Sequence, residues 1–324
     1  MIGRTAYTIV FGLGVAGCNE EHSVLAPHGP QAQQIAELTW LLSALLIAVC
    51  LIVVVAVWLA ARGSERLRNR LASVHAVVVG GIVFPAVTLT FLLAYGLWLM
   101  RDAPAAPEAM RIEVVGEQWW WRVRYPAGNN HIIERANEIR IPVGQPVVFT
   151  LRAADVIHSF WIPSLAGKVD MIPGRTTSLR LSADRPGIYR GICAEYCGGA
   201  HAFMALDVVA MPKDDFTNWL LGAERAAQPP DPQHRRGREL FEAAGCGGCH
   251  AIDGLAAAGT IGPNLSELGE RRSIGAGRLP MTIDNLKRFI ADSQILKPGN
   301  RMPPFRIFSG EDLSALALFL SALK

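Results

Sequence analysis

Two long apolar segments near the N-terminal end of this 324-residue chain limit what it can fold into. Residues 38–61 contain no charged side chain, and residues 71–100 contain one histidine, His75, but no Asp, Glu, Lys or Arg. A helix of about 20 apolar residues crosses the roughly 30 Å hydrocarbon core of a bilayer. The sequence therefore predicts a hairpin of two transmembrane helices, about residues 38–61 and 71–100, within a membrane unit covering residues 18–101.

The N-terminal region and the loop between the apolar segments predict the orientation. The loop over residues 62–70 carries four arginines and one glutamate, and an excess of positive charge is typical of cytoplasmic loops. Residues 1–17 combine Arg4, an apolar run and small residues before Cys18, which is typical of a secretory signal peptide. Both patterns predict that Cys18 and the residues after Met100 lie on the outer side of a bacterial plasma membrane. Cys18 resembles the lipidated cysteine of a bacterial lipoprotein; a plain signal peptide and an uncleaved anchor are the alternatives.

The segment from Cys193 to Met204 gathers metal-binding side chains within a short loop. Cys193 and Cys197 are followed by His201 and Met204. Thiolate, imidazole and thioether groups select copper over hard cations. His158, which precedes a strand-like segment, is a fifth candidate. Two thiolates, two imidazoles and a weak thioether fit a pair of coppers bridged by sulfur, whereas a zinc site or a disulfide between the two cysteines is the alternative.

Residues 108–212 change to short apolar runs, which Gly, Pro and Asn clusters separate. This pattern is typical of an all-β sandwich. The run Trp119-Trp120-Trp121 lies in this region, and alternation along a strand would bury at least one of the three rings in the core. Residues 213–232 are rich in proline and lose the strand pattern, which predicts a linker.

Residues 233–324 predict a second domain. Cys246, Cys249 and His250 form the Cys-x-x-Cys-His motif of c-type haem attachment. A helix over residues 237–244 should lead into the motif. A second helix, from 311 to 320, should pack against this first helix. Taken alone, the motif also fits a redox dithiol or half of a zinc site.

Three blocks, residues 155–160, 172–175 and 193–204, resemble cytochrome c oxidase subunit II. The resemblance spans roughly residues 38 to 220 and implies a cupredoxin-like domain with the binuclear copper centre Cu-A. The implied ligands are the side chains of His158, Cys193, Cys197, His201 and Met204 and the backbone carbonyl of Glu195. In that family the Glu195 side chain faces a magnesium site shared with subunit I, and Trp119 takes the position where an electron arrives from cytochrome c.

The C-terminal residues resemble a class I cytochrome c. The blocks 262–265 and 300–304 follow the haem motif in the order seen in that family. The resemblance implies that Cys246 and Cys249 bind haem c covalently and that His250 and Met302 are the axial ligands of the iron. It also implies that the carbonyl of Pro263 orients the histidine.

The predicted architecture is a multidomain membrane protein with a two-helix hairpin, an all-β cupredoxin-like domain and an all-α cytochrome c domain. This layout is similar to subunit II of caa-type oxidases. It implies that electrons from cytochrome c or another donor pass through haem c and Cu-A to an oxygen-reducing site on subunit I, with subunit III as a further partner. A subunit of a Cu-A-type nitric oxide reductase and a membrane-anchored redox shuttle are the alternatives, and the copper ligands argue against a quinol oxidase. The net charge of +3 gives no support to nucleic-acid binding.

Overall fold

The computed structural model describes residues 23–100, 109–127, 132–223 and 234–324. The predicted signal peptide and Cys18 lie outside the described residues. The chain divides into two compact units, of which one comprises residues 33–107 and the other the remainder of the chain.

The first unit consists mainly of helices. They are α1 (Pro30–Arg62), α2 (Glu65–Leu71), α3 (Val74–Val78) and α4 (Phe84–Leu99), with a π-helical segment, Val79–Val83, between α3 and α4. Residues 30–62 and 74–99 are each long and apolar enough to cross a membrane. The second span begins later than the predicted residue 71, because Ser73 starts a new helix by accepting a hydrogen bond from the Ala76 N–H at its Oγ. The first span begins earlier than the predicted residue 38.

Pro85 accounts for the π-helical segment in the second span. Proline has no N–H and its ring collides with the carbonyl four residues earlier, which here belongs to Gly81. A π-helical turn widens the backbone at this point, and membrane helices tolerate such local adjustments. The helix therefore continues from α3 into α4 rather than ending at the proline.

The second unit contains a β domain, residues 109–223, built on ten strands. The strands are β1 (Met110–Glu117), β2 (Trp120–Pro126), β3 (Ile132–Ala136), β4 (Glu138–Pro142), β5 (Val147–Ala153), β6 (His158–Trp161), β7 (Val169–Met171), β8 (Thr177–Leu181), β9 (Gly187–Cys193) and β10 (Ala205–Met211). They form two sheets with the orders β3-β2-β1-β5-β8 and β4-β10-β9-β6-β7. Within these sheets β1 pairs with β5 and β4 with β10 in parallel, and the other pairs are antiparallel.

Alternation along the strands builds the core between the two sheets. Ile112 and Val114 on β1 are fully buried while the residues between and beside them are not. Trp121 is also fully buried, and its ring centroid lies 5.6 Å from that of Phe160. The prediction that at least one tryptophan of the 119–121 run belongs to the core is therefore confirmed. Burial of each such large side chain contributes about 1.5–3 kcal/mol to folding.

A helix, α5 (Lys213–Ala223), follows β10 directly and lies within the predicted linker. Phe216 of α5 is buried in the core of the β domain, and the Trp219 ring lies 5.1 Å from the Tyr125 ring in an edge-to-face arrangement. The predicted linker over residues 213–232 was thus too long, because α5 packs on the β domain. Residues 224–233 lie outside the described residues.

The C-terminal domain, residues 234–324, is helical with two small antiparallel ladders. Its elements are α6 (Arg235–Ala243), β11 (Ala251–Ile252), β12 (Ala257–Ala258), β13 (Ser273–Ile274), β14 (Leu279–Pro280), α7 (Ile283–Ala291), α8 (Ser293–Leu296) and α9 (Gly310–Ser321). The predicted packing of the first helix against the last is confirmed, since the Phe241 and Phe319 ring centroids are 6.0 Å apart. A Cβ on Gly237 would lie 2.2 Å from the carbonyl oxygen of Ala315, so the close crossing of α6 and α9 needs a glycine.

Candidate metal centre and haem cavity

The candidate metal ligands come together at one end of the second sheet of the β domain. His158 opens β6, and Cys193 ends the neighbouring strand β9. The loop after β9 carries Cys197 and a 3₁₀ turn at His201–Phe203, and it returns to the sheet at Met204, directly before β10. Adjacent strands and one short loop therefore bring all the predicted side chains to one place.

The distances between the donor atoms are those of a single cluster. The Sγ atoms of Cys193 and Cys197 lie 3.8 Å apart and are not bonded to each other. The Nδ1 atom of His158 is 3.9 Å from Cys193 Sγ, and the Glu195 carbonyl oxygen is 3.3 Å from the same sulfur. On the opposite side, His201 Nδ1 and Met204 Sδ lie 3.5 Å and 3.8 Å from Cys197 Sγ. The other four predicted donor groups thus lie 3.3–3.9 Å from one or other of the two sulfurs.

This donor set fits a pair of soft metal ions. Ligand atoms of His158, Cys193 and Cys197 lie within 4.8 Å of one another, and all three residues are buried. Two thiolates between two imidazoles, with a thioether and a carbonyl outside them, exceed the four ligands of a structural zinc site. Copper favours this soft nitrogen and sulfur environment. The Cys193 and Cys197 thiols are both free, so the disulfide alternative is not realised.

Asp155, which was not among the predicted site residues, holds the His158 ring in place. Its Oδ1 lies 2.8 Å from His158 Nε2, and its oxygens also accept hydrogen bonds from the backbone N–H groups of Val156 and Gln118, each at 2.7 Å. Burial opposes a charge on His158, but the carboxylate and the Cys193 thiol outweigh it and raise the pKa of His158 to about 8. With Nε2 engaged, Nδ1 faces the sulfurs. A carboxylate three residues before a candidate histidine was the available sequence signal.

The two thiols hold their protons unequally. The neighbouring Cys197 thiol, together with His158 and nearby backbone groups, lowers the pKa of Cys193 although burial opposes this shift. The pKa of Cys197 is raised, because its thiolate would lie beside that of Cys193 and out of water. Binding of a metal cation requires both cysteines as thiolates and therefore displaces the proton that Cys197 holds.

The backbone carbonyl of Cys197 receives two hydrogen bonds from β-domain side chains. Gln118 Nε2 donates at 2.7 Å and the indole Nε1 of Trp119 donates at 2.9 Å. Gly198 follows with a φ of +114°, and a Cβ there would lie 3.0 Å from both donor side chains. Residues 194–204, between β9 and β10, form the metal-site loop. Glycine at position 198 lets this loop contact Gln118 and Trp119 closely.

The haem motif of the C-terminal domain opens onto a cavity of about 370 Å³. All five predicted haem-site residues line it, namely Cys246, Cys249, His250, Pro263 and Met302. The thiols and the two axial candidates thus face one space, which is the arrangement that covalent attachment of a haem requires. Trp119 and Trp120 of the β domain line the same cavity.

His250 is oriented for iron ligation. Its Nδ1 lies 2.8 Å from the carbonyl oxygen of Pro263, which leaves Nε2 available as the ligand atom. Burial lowers the pKa of His250, so the neutral ring that a metal needs is favoured. A Cβ on Gly262 would lie 2.5 Å from the ring, so the loop can approach the histidine only with a glycine there.

Hydrogen bonds fix the backbone of Met302 on the other side of the cavity. Its N–H donates to Asn300 Oδ1 at 2.8 Å, and its carbonyl accepts from Ser293 Oγ at 2.9 Å and from Gln294 Nε2 at 3.0 Å. Ser293 and Gln294 lie on α8, where no sequence motif marks them as part of the site. These bonds involve only the backbone N–H and carbonyl of Met302, so its thioether is available to a metal.

The C-terminal domain packs on the β domain through polar contacts that no sequence pattern indicated. Arg190 Nη2 donates to the Gly277 carbonyl at 2.8 Å, and Arg122 Nη2 donates to the Thr260 carbonyl at 2.7 Å. Arg135 forms an ion pair with Glu267. Trp119 lies at this contact, because it bonds to the Cys197 carbonyl and also lines the cavity. The magnesium role of the half-buried Glu195 side chain stays a prediction.

Comparisons with known proteins find relatives of both redox domains. A family model described as cytochrome c oxidase subunit II, periplasmic domain, matches residues 124–211, and one described as cytochrome c matches residues 234–324. A protein of Alkalihalophilus pseudofirmus named cytochrome c oxidase subunit 2 is 36% identical over 96% of this chain and 94% of its own. The protein of the same name from Bacillus sp. strain PS3 is 32% identical over 81% of this chain and 75% of its own. The crystal structure of the periplasmic domain of subunit II of cytochrome oxidase from Bradyrhizobium japonicum, at 30% identity and a TM-score of 0.35, covers 38% of this chain and 97% of that one.

Proposed function

Because the chain belongs to the cytochrome c oxidase subunit II family and carries a cytochrome c domain, we propose that it is the subunit through which electrons enter a terminal oxidase. Electrons from an external donor would reach the C-terminal domain first, then the metal centre of the β domain, and finally the oxygen-reducing site on subunit I. When bound, the haem iron and the copper pair each supply a one-electron redox couple. The chain's own residues hold these groups and fix their separation.

In this proposal the β domain holds two coppers. The ligands are His158, Cys193, Cys197, His201 and Met204 through their side chains and Glu195 through its backbone carbonyl. Asp155 orients His158 by accepting a hydrogen bond from its Nε2–H, which supports the ring orientation that metal ligation needs. The Glu195 side chain would face a magnesium ion at the contact with subunit I.

The C-terminal domain holds one haem c in the same proposal. Cys246 and Cys249 form the covalent links, and His250 and Met302 are the axial ligands. The Pro263 carbonyl holds the His250 ring through Nδ1. An iron with both axial positions filled by the protein suits electron transfer, because no position stays open for a substrate.

The observation that carries the proposal is the position of Trp119. This side chain lines the haem cavity and donates a hydrogen bond at 2.9 Å to the carbonyl of Cys197, a candidate copper ligand. One half-buried indole therefore contacts both candidate sites. We assign Trp119 the electron-transfer position between them, with the fused domain taking the place of a soluble donor.

The two apolar helices anchor the chain in the membrane. We propose that this is the bacterial plasma membrane, with both redox domains on the periplasmic or outer face and the arginine-rich loop in the cytoplasm. The helices would pack on subunit I, with subunit III as a further neighbour. Cys18 would be the lipidated N-terminal residue of the mature protein.

Metal and haem analysis of the purified complex, with visible and near-infrared spectra, tests the proposal. We expect two coppers and one haem c for each copy of this chain. The Cys197→Ser variant should lose the near-infrared copper band and keep the haem c spectrum, because a candidate copper ligand is removed while the C-terminal domain is untouched. The matched control is Cys50→Ser, on α1, which should keep both signals. Full copper content in Cys197→Ser, or oxidation of haem c without reduction of copper in the native complex, would contradict the proposal.

A further inference from the structure

Lys297 is a buried lysine at the contact between the β domain and the C-terminal domain. It follows α8 and is only 4% exposed. Its Nζ donates to the carbonyl of Trp119 at 2.5 Å and to the carbonyl of Phe203 at 2.9 Å, both in the β domain. A third bond of 2.9 Å reaches the carbonyl of Gly275 in its own domain. One ammonium group thus joins three backbone segments across the domain contact.

Burial of the Lys297 ammonium removes it from water, which costs free energy unless hydrogen bonds replace its hydration. Lysine is almost never fully buried unless it is paired. Burial lowers the pKa of Lys297 to about 7, because removal from water penalises the ammonium form. Within the described residues, no carboxylate lies within ion-pair distance of Nζ; the three carbonyls take its three N–H donors instead. A compact group with three donors meets this geometry better than a planar guanidinium.

The carbonyls that Lys297 binds belong to residues beside the metal centre and the cavity. Trp119 is the residue whose indole donates to Cys197, and Phe203 directly precedes Met204. Lys297 itself lines the haem cavity, in the same loop as Met302. Its position therefore fixes the Trp119 backbone and the end of the metal-site loop against the C-terminal domain at once.

Two further contacts support close apposition of the domains at this point. The Ala205 N–H donates to the Ala276 carbonyl at 3.1 Å, immediately after Met204. Gly299 has a φ of +81°, and a Cβ on it would lie 3.3 Å from the Trp119 ring. The lysine is thus enclosed by direct contacts between the two domains.

We propose that Lys297 is a positioning residue that locks the C-terminal domain onto the β domain with Trp119 held between the two redox sites. Electron transfer between the sites then requires no movement of one domain relative to the other. This inference rests on the proposed function, since it concerns the same transfer, but it adds a residue outside both ligand sets. Lys297 acts through the Trp119 and Phe203 backbones and binds neither cofactor in this account.

The test measures electron transfer from haem c to copper in the purified, fully loaded complex after rapid photoreduction of the haem. In Lys297→Met, a chain of similar length without donors, the transfer rate should fall on the order of tenfold or more, because correct positioning is lost. The copper band, the haem spectrum and the haem potential should stay at native values. The matched control is Lys287→Met, whose nearest described ionic partner is Asp284 on the same helix, and its rate should equal the native rate.

A second readout needs neither cofactor chemistry nor enzyme turnover. Hydrogen exchange of the Ala205 amide, which bonds across the domain contact, should become faster in Lys297→Met and stay native in Lys287→Met. A native transfer rate together with native Ala205 protection in Lys297→Met would overturn the inference.

A measurement on the native complex covers the case in which Lys297→Met does not fold. A locked contact predicts a haem-to-copper rate that is independent of solvent viscosity and ionic strength. A rate that falls as viscosity rises would show that the domains must move, and it would overturn the inference. Absence of any haem-to-copper transfer in the native complex would instead refute the proposed function, so the two failures are distinguishable.

Discussion

The indole Nε1 of Trp119 donates a hydrogen bond to the backbone carbonyl of Cys197 across 2.9 Å, although 78 positions separate the two residues in the chain. The Trp119 ring also lines the cavity that contains Cys246, Cys249 and His250. Trp119, a side chain of the β domain, therefore forms part of the haem cavity wall and also contacts the metal-site loop.

Trp119→Phe should slow electron transfer from haem c to copper while both cofactors remain bound. The phenyl ring keeps an aromatic side chain in the cavity wall but removes the N–H that bonds to Cys197. Loss of one hydrogen bond should also lower the free energy of unfolding by about 1 kcal/mol. Photoreduction kinetics and chemical denaturation measure the two effects. Trp161→Phe, at a half-buried tryptophan that does not line the cavity, is the control; equal rates in both variants would rule out the assigned role.

Asp155→Asn should weaken copper binding and leave haem attachment unchanged. The amide is a poorer acceptor for the His158 Nε2–H than the carboxylate, so the histidine is held less firmly toward the metal. Loss of such a supporting group reduces metal affinity roughly 10- to 100-fold. Competition with a copper chelator measures the change. The control is Asp170→Asn, at an exposed carboxylate on β7, and a copper affinity that Asp155→Asn does not alter would argue against the supporting role.

Met302→Ala should lower the haem c potential without releasing the haem. The covalent links to Cys246 and Cys249 remain, but the axial thioether that raises the potential is gone. Axial ligands change haem potentials over a range of roughly 0.8 V, and the shift should lie within that range. Potentiometric titration followed by visible absorbance gives the value. Met281→Ala, at a half-buried methionine packed on the same hydrophobic core, should leave the potential near native; a native potential in Met302→Ala would exclude Met302 as a ligand.

Gly237→Ala should destabilise the C-terminal domain. The added methyl group would lie 2.2 Å from the Ala315 carbonyl oxygen and 2.5 Å from Phe319 Cβ, so α6 and α9 must separate. Overpacking of this kind costs about 1–3 kcal/mol. Chemical unfolding followed by haem absorbance measures the loss. Gly310→Ala, at the start of α9, has no atom within 4 Å of the added carbon and should be close to neutral, and equal stability of the two variants would count against the tight helix crossing.

The sequence by itself predicted the candidate ligands of both sites and determined the order of the domains. Cys193, Cys197, His201 and Met204 lie within one loop, and Cys246, Cys249 and His250 within another, so chain connectivity alone keeps each set together. Short apolar runs separated by Gly, Pro and Asn clusters likewise predicted the β domain, and uninterrupted apolar runs predicted the membrane helices. Such local patterns are visible because the residues that act together are close in the chain.

Only the tertiary structure decided how the two domains meet. The bond from Lys297 to the Trp119 carbonyl joins residues 178 positions apart, and the ion pair of Arg135 with Glu267 joins residues 132 positions apart. No periodicity or motif links such partners, because their proximity results from the folding of both domains. The same reason explains α5, which packs on Tyr125 through Trp219. The prolines within residues 229–232 and the loss of the strand pattern had predicted a linker over residues 213–232. Most of the candidate ligands thus lie in short segments, whereas the contact between the two sites depends on long-range packing.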